Sequence, residues 1–444
     1  MTRVHFEARN VRFEFVPSSK RTTRNKPATR NAKPIIFKMK INEAHLTYCS
    51  NIHAGESWRE VFESLKLHAI PLKQQLSPDA PFGLGLRLSN EAAETLLTGT
   101  HIDGFKEWME DHGFYVFTFN GFPYGSFHRS VVKDNVYKPD WRTSERVEYT
   151  LRLCKILSRW LPEGMEGGIS TSPLSYKPWL KTDKEREEAF SMSTWNLVDV
   201  TEYLVELHQR SGQMIHIDIE PEPDCLIENI QETIDFFTNW LIPQGAPRLA
   251  RRMDMTVEEA EEALRNHIRL CYDTCHFAVE FESAQDVLDR MKEAGIRIGK
   301  VQISAAVKVT LPDSPEERTQ IATRLEAFAE STYLHQVVEC RTDGTLFHYD
   351  DLPDALPHIQ EPTAHEWRIH FHVPIFVDDY NGIRSTRSDI SDALAGLQQA
   401  PICDHLEIET YTWEVLPEGL KQDMTTSIRR EYEWVLGEMG LRSS

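Results

Sequence analysis

The chain has 444 residues and a mass of 51.4 kDa, with 40% hydrophobic and 10% aromatic residues, enough to bury a large core and too apolar for wholesale disorder. Its 69 acidic residues outnumber 49 lysines and arginines, a formal charge of −20 that repels a phosphate backbone and argues against a nucleic-acid-binding body. No run approaches ~18 consecutive apolar residues, so no membrane-spanning helix is expected, and seven scattered cysteines suit a reducing cytosol better than a disulfide framework.

Residues 1–40 hold eleven lysines and arginines against two acids, so residues 41–444 carry 38 bases against 67 acids. Lys20 to Lys33 includes six basic residues, no acid and too little apolar content for a core. Residues 1–40 are therefore expected to be a disordered basic extension, and residues 41–444 the folded domain. The extension has no apolar h-region, which excludes an ordinary secretory signal. Three origins remain: a natural start at Met39, a genuine basic arm, or an Arg-rich transit peptide.

From residue 41 onward, strand-like and helix-like segments alternate. Ala44 to Ser50 is β-rich, and Ser57-Trp58-Arg59-Glu60 is a capping box opening a helix. Phe82–Ser89 and Phe114–Asn120 read as strands, with the helix between them ending at Gly113. A helix over Arg146–Leu161 leads to Gly168–Ser172, and one near Val198–Gln209 leads to Met214–Glu220. Thr256-Val257-Glu258-Glu259 opens a helix before Leu270–Asp273, and Ser283 caps another that ends at Gly295 before Lys300–Ser304. Ser314-Pro315-Glu316-Glu317 is a capping box with Pro at the first helical position. Gln336–Glu339, Trp367–Pro374 and His405–Thr410 complete ten strand candidates.

Alternation at roughly thirty to fifty residues per unit is the signature of βαβ units in a parallel sheet. The predicted fold is a (β/α)₈ TIM barrel with a large insertion between Ser304 and His405, ahead of the last strand. A doubly wound sheet would usually carry a glycine-rich phosphate turn after its first strand, and Gly83 and Gly85 instead sit inside a strand.

In a barrel the chemistry lies at the C-terminal strand ends. Those ends read His53, Asn120, Glu220, Asp273 with His276, Gln302, His372 and Glu409. Asp218 and Glu220 share one strand face, and two prolines stop the strand and fix Glu220; the bland counterpart is an exposed acidic turn. Asp273 with His276 three residues on offers a ligand and a substrate contact, or a helix cap beside a packed histidine. Glu407 and Glu409 share a face, as do His370 and His372. Three carboxylates converging on one mouth would repel, and a divalent cation is the simplest way to hold them. Oxygen-rich donors with a single imidazole favour Mn²⁺ or Mg²⁺ over Zn²⁺. Cys271 and Cys275 have no second pair for a zinc site and read as structural. There is no Gly-x-Ser-x-Gly elbow and no phosphate-binding P-loop.

The runs IDIEPEP (217–223) and YDTCH (272–276) resemble the xylose isomerase-like superfamily of TIM barrels, which includes sugar phosphate isomerases and epimerases. Seven stretches, from LTYCSNIHAGESW through FTFNGFPYGSFH and CYDTCHFAVEFE to LEIETYTWEVLP, are similar to the EboE family of metabolite-traffic proteins of the bacterial ebo cluster. The superfamily resemblance implies metal ligands at Glu220, Asp273 and Glu409. His276 falls on its Asp-x-x-His pair, and Gln302 stands where many epimerases place a metal-binding His. His372 from the insertion is expected to fill that vacancy. The EboE resemblance implies movement of a small secondary metabolite or precursor towards export, with other ebo-cluster proteins as partners.

Two functions follow as expectations. In the first, a divalent metal polarises a polyol-like substrate, Glu220 and Glu409 move protons in isomerase or epimerase fashion, and His53, Asn120, His276 and Gln302 contact the substrate. In the second, the mouth binds a metabolite and passes it on without turnover. Metal-assisted phosphoester hydrolysis needs several metals and more histidines than these strand ends supply.

Overall fold

The computed structural model describes residues 40–41, 44–128, 132–380, 382–414, 416 and 423–441. The expected basic extension lies outside the described residues, apart from Lys40. After a two-residue strand β1 (Lys40–Ile41), strands alternate with helices as β2 (Ala44–Tyr48), β3 (Phe82–Arg87), β4 (Phe114–Asn120), β5 (Gly167–Thr171), β6 (Ile215–Ile219), β7 (Ile268–Asp273) and β8 (Ile298–Ile303). The chain then leaves this sheet to build β9 (Ala305–Thr310), β10 (Val337–Arg341), β11 (Leu346–Tyr349), β12 (Ala364–Val373) and β13 (Arg384–Ser385), and returns as β14 (His405–Ile408).

The main sheet runs β2-β14-β8-β7-β6-β5-β4-β3 with every neighbour parallel. Its ends meet through a parallel bridge between Cys49 and Gly85. There the Thr47 hydroxyl donates to the Gly83 carbonyl at 3.0 Å, and the Arg87 N–H donates to the Ser50 hydroxyl at 2.9 Å. Eight parallel strands nearly closed on themselves, with helices between them, are a (β/α)₈ barrel. Local signals set its elements. Ser57 and Glu60 form the reciprocal box on the helix Trp58–Leu76, Thr256 and Glu259 do so on Val257–His267, and Gly113 ends its helix at φ 70°.

The insertion forms a second, antiparallel sheet in the order β11-β10-β12-β9-β13. The described residues form fourteen strands against ten candidates: β1, β11 and β13 are two to four residues long, and β9 was hidden. Only Ser304 separates it from β8, so the run from Lys300 to Thr310 carries no turn signal.

Outward-facing residues such as Leu84, Ile169, Ile217, Leu270, Val301 and Leu406 are buried under the helices in one continuous apolar shell. The barrel interior is instead polar. His216 Nδ1 lies 2.6 Å from Asp218 Oδ1 in the lower part. Above it Lys300 Nζ donates to Glu407 Oε2 at 2.7 Å, to the Phe119 carbonyl at 3.0 Å and to the Ser170 hydroxyl at 3.4 Å, with both charged side chains fully buried. Glycine makes the room. A Cβ on Gly85 would sit 1.9 Å from Glu407 Oε1, and one on Gly299 would sit 1.9 Å from Asp218 Oδ1. Burial works against the Lys300 charge, but Glu407 beside it holds the ammonium above its ordinary pKa.

Lys300→Met should leave Glu407 buried without its countercharge and cost about 3–5 kcal/mol in chemical denaturation. Lys300→Met combined with Glu407→Gln should recover more than half of that loss, and a double variant no more stable than the single one would refute the pairing.

Candidate functional site

Three acidic residues reach the C-terminal mouth because each stands at a strand end. Glu220 follows β6, its N–H bonded to the Thr171 carbonyl at 3.0 Å, and Pro221 stops the strand behind it. Asp273 closes β7. Glu409 follows β14, its N–H bonded to the Ile303 carbonyl at 3.1 Å. All three are buried, and one carboxylate oxygen from each lies within 4.8 Å of the other two. Between them stands Gln302 of β8. Its Nε2 donates to Glu220 Oε1 at 3.1 Å, to Asp273 Oδ2 at 3.3 Å and to Glu409 Oε2. An amide nitrogen has two hydrogens and no charge, so it satisfies three carboxylates incompletely and neutralises none.

The carboxylates are held differently. Asp273 Oδ1 accepts from the N–H groups of Cys275 (2.8 Å) and His276 (3.2 Å) and from the Ser304 hydroxyl (2.6 Å), while Oδ2 faces the centre. The helix cap and the cluster member are one residue using two oxygens. Glu409 Oε1 accepts amide N–H bonds from Asn51 at 2.6 Å and Asn120 at 2.8 Å. Glu220 Oε2 is buried with no hydrogen-bond partner. Burial, then the Glu409 and Asp273 charges, pushes the Glu220 carboxyl well above its ordinary range; burial and Asp273 do the same to Glu409. Burial pulls Asp273 up as well, but His276, His372 and the Ser304 bond outweigh it and keep this acid below its usual value.

The insertion adds imidazoles. His276 Nδ1 lies 2.8 Å from the Pro221 carbonyl, His370 Nδ1 2.8 Å from Gln336 Oε1, and His372 Nδ1 3.0 Å from the Glu409 carbonyl. Each Nδ1 faces an acceptor and must carry the proton, which leaves lone pairs on all three Nε2 atoms. Two of these, on His276 and His370, meet at 3.1 Å, a contact that needs a proton or a cation between them. His372 Nε2 is buried without a partner. Glu222 closes this side, accepting from the Tyr137 hydroxyl at 2.9 Å, with burial pushing its carboxyl up to about 7.

These donors fit a divalent ion. Glu220, Asp273 and Glu409 form one converging set, and Asp273, His276 and His372 another, with donor atoms inside 4.8 Å. The carbonyl bond at each His Nδ1 is the support that ligating imidazoles generally have. The expectation of one imidazole is corrected. Three are present, and a mouth this rich in nitrogen no longer favours Mn²⁺ or Mg²⁺ over Zn²⁺.

Asn120, His276, Gln302 and His372 therefore meet the three carboxylates as expected from sequence. His53 does not: its ring contacts the Tyr48 hydroxyl at 3.0 Å and Met424 Sδ at 3.2 Å and stacks on His68, away from the mouth. The helical turn after β2 turns it outward, and Asn51 of that turn points in instead. Asn51, Glu222 and His370 are the residues that strand-end reading missed. Only His370 left a trace, in its alternation with His372. The pocket beside the carboxylates is walled by Phe122, Tyr137, Tyr333 and Tyr411.

No family model and no curated protein matches the chain. Among solved structures its neighbours are xylose isomerase-like TIM barrel proteins. A xylose isomerase-like TIM barrel protein from Mycobacterium smegmatis in complex with magnesium shares 9% identity over 89% of this chain and 96% of that one, TM-score 0.45. The IolI protein with a binding zinc atom shares 12% over 89% and 98%, TM-score 0.44. The probable 3-DHS dehydratase AsbF of petrobactin synthesis, from Bacillus anthracis, shares 12% over 87% and 97%, TM-score 0.39. At these scores the barrel assignment rests on the strand order and closure described above. No helix among the described residues is long and apolar enough to cross a membrane.

A cation that binds only the folded mouth should stabilise it, by about 2.7 kcal/mol at a hundred times its Kd. Chelation should lower the thermal midpoint, Mn²⁺ or Zn²⁺ should restore it, and Asp273→Ala should lose most of the response; a midpoint indifferent to chelator would exclude the ion. A second expectation concerns Glu431, whose Oε1 accepts from the Thr410 hydroxyl at 2.7 Å and so braces the residue after Glu409. Burial pushes its carboxyl up to about 8. A folded-state pKa above the unfolded one favours the fold at low pH, and that contribution is lost as pH rises from about 4.5 to about 8. Glu431→Gln should therefore match the wild type at pH 4.5 and exceed it at pH 8 by on the order of a few kcal/mol, read from denaturation at both pH values.

Proposed function

We propose that the barrel mouth acts on a small polyol-like metabolite by isomerase- or epimerase-type proton transfer, with Glu220, Asp273, Glu409 and His372 holding a divalent cation. Such a cation would polarise a carbonyl or hydroxyl of the ligand. The observation that carries the reading is Glu220 Oε2, a buried carboxylate oxygen without a partner on the wall of the cavity. An oxygen left free of hydrogen bonds suits a group that takes a proton from carbon and returns it. Glu409, both of whose oxygens already accept amide N–H bonds, is the anchored partner. Three of its roughly four lone-pair positions are taken, so it is the less available base. Transfer by Glu220 on one face is thus favoured over a symmetrical two-base exchange. His276 and Asn120 orient the ligand oxygens.

A second reading is carriage without turnover, the role that resemblance to the EboE family implies, with other ebo-cluster proteins as partners. Gln302 favours it, since a neutral amide among three carboxylates is a weak substitute for a ligating histidine.

The two separate in one experiment. A panel of ketoses and polyol-like metabolites, incubated with the metal-loaded protein in D₂O, should take up deuterium at the carbon next to the carbonyl. Glu220→Gln should slow this by at least about a hundredfold while binding the same metabolite within about tenfold. Tight binding with no exchange under Mn²⁺, Mg²⁺ or Zn²⁺ would decide for the carrier.

A further inference from the structure

On the far side of the loop after β6, another group of donors converges. Asp224 and Glu228 from that loop and His348 from β11 each place one ligand atom within 4.8 Å of the others. Glu280, at the end of the helix Thr274–Val279, stands beside this group, its Oε2 3.7 Å from His348 Nε2. That spacing is too long for a hydrogen bond. Glu280 is only 6% exposed, and its Oε1 has no hydrogen-bond partner; Asp224 Oδ2 is likewise buried and unpartnered. A buried carboxylate left this way is strongly disfavoured unless something else satisfies it.

Lys177 does not suffice. Its ammonium lies 2.6 Å from Glu228 Oε1 and 2.7 Å from Glu232 Oε1, one positive charge shared between two carboxylates on the outer side. Asp224 and Glu280 receive no ion pair from it. The imbalance is local: Asp224, Glu228 and His348 converge from two chain segments, a third segment sets buried Glu280 beside His348, and Lys177 is the one cationic side chain of the described residues paired with any of these carboxylates.

We propose that Asp224, Glu228 and His348 form a second divalent-cation site, structural in role and of the Zn²⁺ class, with the buried carboxylate of Glu280 beside it adding negative charge. Two carboxylates with one imidazole make a mixed oxygen and nitrogen set that suits such an ion, which also stands above Mn²⁺ in general affinity. None of the four lines the cavity at the mouth, so the site is independent of the proposed activity. Its position gives it work to do. It clamps the β10–β11 hairpin of the insertion onto the loops that follow β6 and β7. The hairpin pairs through β10 with β12, the strand that carries His370 and His372 into the mouth.

The test counts ions on the full-length chain. Chelator-stripped protein is equilibrated by dialysis against micromolar Zn²⁺, and bound zinc is measured by elemental analysis. The wild type should bind one more equivalent than His348→Ala. The isosteric Glu280→Gln should weaken that equivalent at least tenfold, and Asp273→Ala should keep it while losing the ion at the mouth. Equal stoichiometry in the wild type, His348→Ala and Glu280→Gln would overturn the proposal. So would loss of all zinc in Asp273→Ala, since the mouth would then account for everything bound. Circular dichroism and thermal midpoint of Glu280→Gln, which keeps shape and removes only charge, separate loss of the ion from loss of the fold.

Discussion

Negative charge taken out of water governs the upper half of this barrel. Glu407, Glu220, Asp273 and Glu409 stand within two pleats of one another in a space that solvent barely reaches. The lower of these is matched by Lys300 at 2.7 Å. The three above are served by the amides of Asn51, Asn120 and Gln302, which orient carboxylates without cancelling their charge. Hydrogen bonds to neutral donors stabilise a carboxylate modestly, whereas desolvation costs several kcal/mol per ion. The residual demand is met by protons, which raises the acids of Glu220 and Glu409, or by a cation. The chemistry of the mouth follows from that unresolved balance.

Much of this could be read from the chain. Strand ends are legible because each barrel strand keeps an apolar residue at every second position until the run stops, at Glu220, Asp273 and Glu409. Capping boxes at Ser57 and Thr256 were equally plain, because the hydrogen bonds that define them span three residues. What stayed hidden depends on long-range contact. Asn51 differs from His53 only in where one helical turn points it. Glu222 looks like an exposed acid in a proline-rich turn until Tyr137, from a distant loop, covers it.

The insertion was visible as a gap between two recognisable strands, but its contribution was not. Its first strand is concealed by continuity with β8. At Ser304 the hydroxyl donates to Asp273 and the backbone N–H to the Thr274 hydroxyl, and the chain swings from the parallel sheet to the antiparallel one. Two histidines on β12 then face a site built by other strands. This changes the donor set from oxygen-rich to mixed, a shift that no count along β2 to β8 could reveal.

The return of β14 also sets the order of assembly. It lies between β2 and β8, pairing His405 with His45 and Leu406 with Val301, so the first barrel strand, bridged early to β3, meets its second neighbour only after some 360 residues. Without β14, strands β2 to β8 would be an open sheet with bare edges at β2 and β8. The antiparallel sheet, whose pairings are more local, can form before the ring is complete. Entropy of loop closure grows slowly with length, but such distant pairings slow folding and prolong exposure of apolar surface. The carboxylate mouth and the closed barrel are thus completed in one event, the docking of β14.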